Sequence, residues 1–227
     1  QLYFANGKNL YTVHDVDGVA GSTLTGMRSK YIVEDRRADP TRIAANSVWS
    51  RDLNDQLTLT LGASYTSQKT HYFKVIDDLL GGDFWLDLDQ FAARDSDDPN
   101  AAQNDLNLPN HVAYVGDEFG YDYDIRTNRA ELFGQVEKKW SRVEGYAGLQ
   151  LANTTFWRDG HYRKALFPEN SFGPSEKQSF LHGGVKAGAV YKISGRQYIT
   201  ANAAFLTNAP TARAAFLSPR TRDAVVD

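Results

Sequence analysis

Apolar and polar residues alternate one for one from Gln56 to Thr66. Leu57, Leu59, Leu61, Ala63 and Tyr65 fall on one set of positions; Gln56, Thr58, Thr60, Ser64 and Thr66, with Gly62, fall on the other. Only an extended strand sends those two sets to opposite faces, because helical spacing would mix them. The same period of two predicts further strands. Over 128–139, Ala130, Leu132, Gly134 and Val136 oppose Glu131, Gln135 and Glu137; over 142–153, Val143, Gly145, Ala147, Leu149 and Leu151 oppose Glu144, Tyr146, Gly148 and Gln150. Residues 183–193 and 197–206 repeat the pattern, and 29–37 and 42–51 are weaker strand candidates around Tyr31-Ile32-Val33 and Ile43 to Trp49.

Short turns at Asp52–Asp55, Lys138–Arg142 and Ser194–Arg196 alternate with long connections at Lys69–Phe119 and Arg158–Ser179. A meander wired this way collects its turns at one end of the sheet and its loops at the other. The predicted fold class is therefore all-β, an antiparallel meander. Its apolar face mixes Leu and Val with Ala and Gly, while the other face is Thr, Ser, Gln, Glu, Lys and Asn. An outer-membrane β-barrel has this arrangement, apolar toward lipid and polar toward a lumen, with long extracellular loops. Strands of about 10–12 residues also approximate the length that crosses a bilayer at a tilt. The alternative is a soluble β-sandwich acting as a ligand- or carbohydrate-binding module. The two differ in whether a second sheet buries the apolar faces.

The 227 residues suffice for one or two domains, or for part of something larger. With 25 Lys+Arg against 28 Asp+Glu the net charge is −3, which argues against a nucleic-acid partner. Twelve Tyr, 12 Phe and 4 Trp argue against a disordered chain. Without Cys there is no disulfide and no thiolate metal site. No run approaches the roughly 18 apolar residues of a membrane helix, which leaves a strand-built membrane protein open. The ends, Gln1 and Asp227, read as cuts through a longer polypeptide.

Catalytic chemistry has little support. The histidines at 14, 71, 111, 161 and 182 never fall at the spacing of a metal motif, and no G-x-S-x-G, P-loop or G-x-G-x-x-G occurs. The expectation is a binding protein, not an enzyme, with no cofactor and no catalytic residue. The connection 69–118 is distinctive. Residues 76–105 carry nine Asp and one Arg, a local −8 that leaves +5 for the rest. Asp87, Asp89, Asp97 and Asp98 are the candidate carboxylates for a divalent cation. Leu79, Leu80, Phe84, Trp85, Leu88 and Phe91 predict that this loop is folded, with helical turns at Phe73–Leu80 and Trp85–Ala93. Phe84, Trp85, Trp157 and Tyr162 are candidates to stack on a sugar or chelate ring. Arg158, Arg163 and Lys164 are candidates to meet an anionic ligand.

The run Phe156-Trp157-Arg158-Asp159-Gly160 and, beyond it, Phe167-Pro168-Glu169-Asn170-Ser171-Phe172-Gly173 resembles an extracellular-loop signature of TonB-dependent outer-membrane receptors of Bacteroidetes. Ser29–Arg37 and Leu217–Asp223 are similar to further segments of that group, so the resemblance covers roughly residues 25–225. It implies a 22-stranded barrel, an N-terminal plug and coupling to TonB, in the outer membrane of a Gram-negative bacterium. On that reading 1–227 is part of the barrel, about seven or eight strands. Its partners would be the plug and remaining strands of the same receptor, TonB, membrane lipid and a small extracellular ligand.

Overall fold

The computed structural model describes residues 5–95 and 98–226. Its strands in chain order are β1 (Leu10–His14), β2 (Thr23–Met27), β3 (Val33–Asn54), β4 (Leu57–Asp78), β5 (Trp85–Leu86), β6 (Val112–Ala113), β7 (Glu118–Lys139), β8 (Val143–Gly160), β9 (Gly173–Pro174), β10 (Gln178–Ser194) and β11 (Gln197–Leu206). Two short helices, α1 (Gln90–Asp95) and α2 (Ala212–Ala215), complete the ordered elements used below. The protein is mostly antiparallel β. One large sheet runs β11-β10-β8-β7-β4-β3, with β9 added to β8, while β1–β2 and β5–β6 are separate pairs.

The short turns fall where the sequence places them, and the strands continue well past the predicted ends. β4 runs on to Asp78 and β7 starts at Glu118, so the connection between them is 79–117. The candidates 29–37 and 42–51 are one strand through Pro40. That proline is accommodated because β3 lies at an edge, where one side of the backbone has no partner to receive an N–H. The large sheet therefore holds six long strands and the two-residue β9. Phe73–Asp78 is strand and not a helical turn, and of the second expected helical stretch Trp85–Leu86 is strand while a helix begins at Gln90 and runs to Asp95.

Pairing places the apolar positions in register across the sheet. Leu59 faces Val136, Val136 faces Ala147, Ala147 faces Ala187 and Ala187 faces Ala203. The next row is Trp49–Leu61–Gly134–Leu149–Val185–Phe205, and the one after includes Ala63–Leu132–Leu151–Gly183. Directly paired residues share a face, so this is one apolar surface across six strands. It is exposed: Leu132 and Leu149 are each 62% accessible and Phe205 69%. Among the described residues no second sheet covers it. The face turns polar at one row, Ser67–Asn128–Thr155–Ser179. Arg51 and Lys138 border it at the turn end, paired with Leu59 and Leu57.

The opposite face is hydrogen-bonded side chain to side chain. Ser50 Oγ meets Thr60 Oγ1 at 3.0 Å, Thr58 donates to Asp52 at 2.6 Å, and Tyr146 donates to Asn202 at 3.1 Å. Phe133 sits on this polar face because it covers Gly62, where an added Cβ would lie 2.3 Å from the Phe133 ring.

The buried core lies at the loop end. β5 and β6 pair at Trp85–Ala113 and Leu86–Val112, and alternation gives the lid 79–117 two apolar sides. Trp85 packs with Ile76, Leu79, Ala113 and Phe119, whereas Phe84 and Leu86 pack with Val13 and Val112, joining the β1–β2 hairpin to the lid. A third cluster, Phe156, Ala215 and Phe216, docks the C-terminal segment onto the sheet.

Candidate functional site

The lid, the sheet and the C-terminal segment border an open cavity of about 370 Å³ whose walls include Arg36, Lys74, Trp85, Asp87, Phe91 and Arg220. Strands β3, β4 and β7 supply its floor. Lys74 Nζ donates to Glu34 at 2.9 Å and lies 4.3 Å from the Phe119 ring centre, and Arg36 donates to the same Glu34 at 2.6 Å. Arg220 stacks 5.3 Å from Tyr121. Trp85 holds a buried indole N–H that finds no acceptor among the described residues. Basic groups and aromatic faces together suit a ligand that carries an anionic group on a planar or apolar body.

One edge of the cavity is built on a bridged ion pair. Asp87 is buried and accepts from Asn104 Nδ2 at 2.7 Å and from the Gly120 N–H at 3.0 Å on each oxygen. Lys164 Nζ donates to Asn104 Oδ1 at 2.7 Å and to the Gly120 carbonyl. One amide side chain and one peptide unit thus connect the two charges. Burial pulls the Lys164 ammonium down to about 8, against the opposing attraction of Asp87. Burial pushes the Asp87 carboxyl up, while its N–H donors and Lys164 oppose that rise. Gly120 reaches this position through a bulge. Between the pairs Phe73–Asp122 and Val75–Glu118, three residues of β7 oppose Lys74 alone. Gly120 has φ +75°, in the left-handed region that favours glycine.

The residues singled out from the sequence separate. Trp85, Asp87 and Asp89 reach the cavity wall together with Lys164. Phe84 does not: it is 1% exposed and belongs to the hairpin–lid core. Trp157 lies across the sheet, beside Arg126 on the neighbouring strand, with Lys177 4.8 Å from its ring. Arg158 is 2% exposed and structural, with its guanidinium donating to the carbonyls of Pro219 at 2.6 Å and Ser171 at 2.7 Å. Tyr162 is partly buried, 5.7 Å from Lys164 Nζ. Arg163 is exposed and donates to the Pro168 carbonyl at 3.3 Å. Among the described residues, the acidic run brings together no group of carboxylates that could hold a cation. Asp89 accepts from Phe91 N and Ala92 N at the start of α1, and Asp98 accepts from Asn100 N. Asp97 lies outside the described residues.

A second cluster escaped the sequence reading. His71 on β4 and His161 beyond β8 both reach Asp122 Oδ1, at 2.6 Å and 2.8 Å, a meeting in space that the absence of metal-motif spacing in the sequence does not reveal. The signal that would have found it is strand length. Once β4 is read to Asp78, His71 falls on the same face as Lys69, Asp122 and Asp124. Comparison with family models, with curated proteins and with solved structures gave no match to this chain.

Proposed function

We propose that this chain is part of an outer-membrane β-barrel receptor that captures a small extracellular ligand for energy-dependent uptake, and that it is not an enzyme. The observation that carries the reading is the exposed apolar face, in register across six strands and ending at one polar row. In water such a surface would be an aggregation liability; in lipid it is the expected outer wall. β4 carries it from Leu57 to Tyr65 and β10 from Leu181 to Ile193. At roughly 3.3 Å per residue these lengths are about 26 and 40 Å. Tilted by about 40°, they become heights of about 20 and 30 Å, which bracket the ~25 Å apolar band of such barrels. The open edges of β3 and β11 require neighbours in lipid, since unpaired backbone is not tolerated there. Those neighbours, a plug and TonB coupling are what the sequence resemblance adds.

The loop-end cavity is the capture site on this reading, with Arg220 and Phe91 on its rim. Expressed within the polypeptide that carries it, the protein is expected to fractionate with the outer membrane. Arg220→Ala and Phe91→Ala are each expected to lower whole-cell uptake of candidate anionic, ring-bearing ligands about ten-fold, the loss of roughly 1.4 kcal/mol of binding, with membrane abundance unchanged. Recovery in the soluble fraction would remove the membrane reading. Normal uptake by both variants would move the binding site out of this cavity.

A further inference from the structure

We infer that His71, Asp122 and His161 form a binding site for a divalent transition-metal ion at the outer edge of the sheet. His71 Nε2 and His161 Nδ1 converge on one carboxylate oxygen, 2.6 Å and 2.8 Å away, and the ligand atoms of the three lie within 4.8 Å of one another. Each residue comes from a different place in the fold. β4 supplies His71, β7 supplies Asp122, and His161 follows directly on β8, with its backbone N–H donating to the Asp122 carbonyl at 3.0 Å. The His71 ring is already oriented, because it stacks on Phe73 at 4.4 Å. Ligand atoms around a tetrahedral ion with bonds of about 2.0–2.1 Å stand roughly 3.3 Å apart. A separation of about half an ångström beyond the present hydrogen bonds would therefore admit the ion. Two imidazoles and one carboxylate select zinc-like ions over calcium or magnesium, and leave a fourth position for water or a ligand atom.

An independent observation points the same way. Asp124 stands behind the site, fully buried, with Oδ2 3.6 Å from His161 Nε2. A carboxylate in that place orients a metal-bound imidazole. Lys69 at 2.8 Å and Arg126 at 3.5 Å hold Oδ2 as well, yet Asp124 Oδ1 is buried with no hydrogen-bond partner. A buried, unpartnered carboxylate oxygen is costly unless something satisfies it, such as a cation or its bound water. Around the three ligands, Asp124 pairs with Lys69 and Arg126, Asp159 pairs with Arg126, and Glu118 and Arg37 act on the same cluster; the three ligands themselves carry one net negative charge once both imidazoles are deprotonated to bind an ion. The ion would tie the 161–172 loop, and with it Lys164, to the sheet. All three ligands lie beyond the polar row that ends the apolar face, so the site stands whether or not that face meets lipid.

The test uses the purified full-length protein in detergent, freed of metal and titrated with Co(II). The expected result is about one equivalent bound per chain, with the intense visible absorption of a four- or five-coordinate ion, displaced by Zn(II). His71→Ala and His161→Ala are each expected to weaken binding more than ten-fold and Asp124→Asn about ten-fold, as for the loss of a group that orients a ligand. Should the variants fold poorly, Zn(II) is expected to protect His71 and His161 of the wild-type protein from diethylpyrocarbonate. No Co(II) absorption in the wild type, an unchanged titration in the His71→Ala/His161→Ala double variant, or equal modification with and without Zn(II) would each overturn the site.

Discussion

Leu149→Arg is expected to cost the folded protein about 2–4 kcal/mol, the depth-dependent penalty for Arg near the midplane of an outer-membrane barrel. Leu149 occupies the middle apolar row, between Gly134 and Val185, and is 62% accessible. Its neighbour Gln150 points to the polar face, where Gln150→Arg should be nearly neutral. The sign of the difference is informative. On a water-exposed sheet, replacing an exposed Leu by Arg changes stability within about 0.5 kcal/mol. Measured in vesicles by denaturant titration, a large loss for Leu149→Arg beside a small one for Gln150→Arg supports lipid contact. Equal small effects at both positions would place the face in water.

Asp87→Ala is expected to cost about 3–5 kcal/mol, the penalty for removing one member of a buried pair. The loss has two parts. The Gly120 N–H and an Asn104 N–H would be left without their acceptor, and the Lys164 ammonium would be left buried without its counter-charge. Replacing both charges should therefore cost less than the sum of the single changes, because Asp87→Ala/Lys164→Met removes the uncompensated ion. Hydrogen exchange across 79–117 and 161–172 reads this local stability. Additive effects in the double variant would mean that Asn104 and Gly120 do not couple the two residues.

The strand order of the large sheet was legible because one variable sets it. Period-2 alternation from Leu57 to Thr66 and its recurrences fix face and pairing, and short turns leave only antiparallel neighbours. The upper ends of the strands were not legible. Beyond Thr66 the alternation loses its apolar member, as Ser67, Lys69 and His71 follow Tyr65 on the same face. A rule based on hydrophobic contrast stops there, although backbone pairing continues to Asp78. That one truncation hid the histidine cluster and made the lid seem longer than it is. β3 was split for a related reason, since Pro40 punctuates a strand only when both of its edges are paired. Within the site, residue type marks Trp85 as a stacking ring and Asp87 as a cation ligand, and the structure instead sets Asp87 against Lys164 through Asn104 and Gly120. Phe84 and Arg158, candidates on the same grounds of residue type, are taken up by packing and by backbone carbonyls, which composition cannot reveal.

The central claim is that the apolar face meets lipid, and the absence of Cys makes it directly measurable. Single cysteines at Leu61, Leu132, Leu149 and Val185, and at the intervening Ser64, Phe133, Gln150 and Lys186, can carry nitroxide labels in reconstituted protein. Collision with oxygen, which concentrates in hydrocarbon, is compared with collision with a water-soluble nickel chelate. The account predicts that the first set favours oxygen, the second favours the chelate, and labels at Ser67, Asn128, Thr155 and Ser179 mark the crossover. Equal access of the chelate to both sets would contradict it.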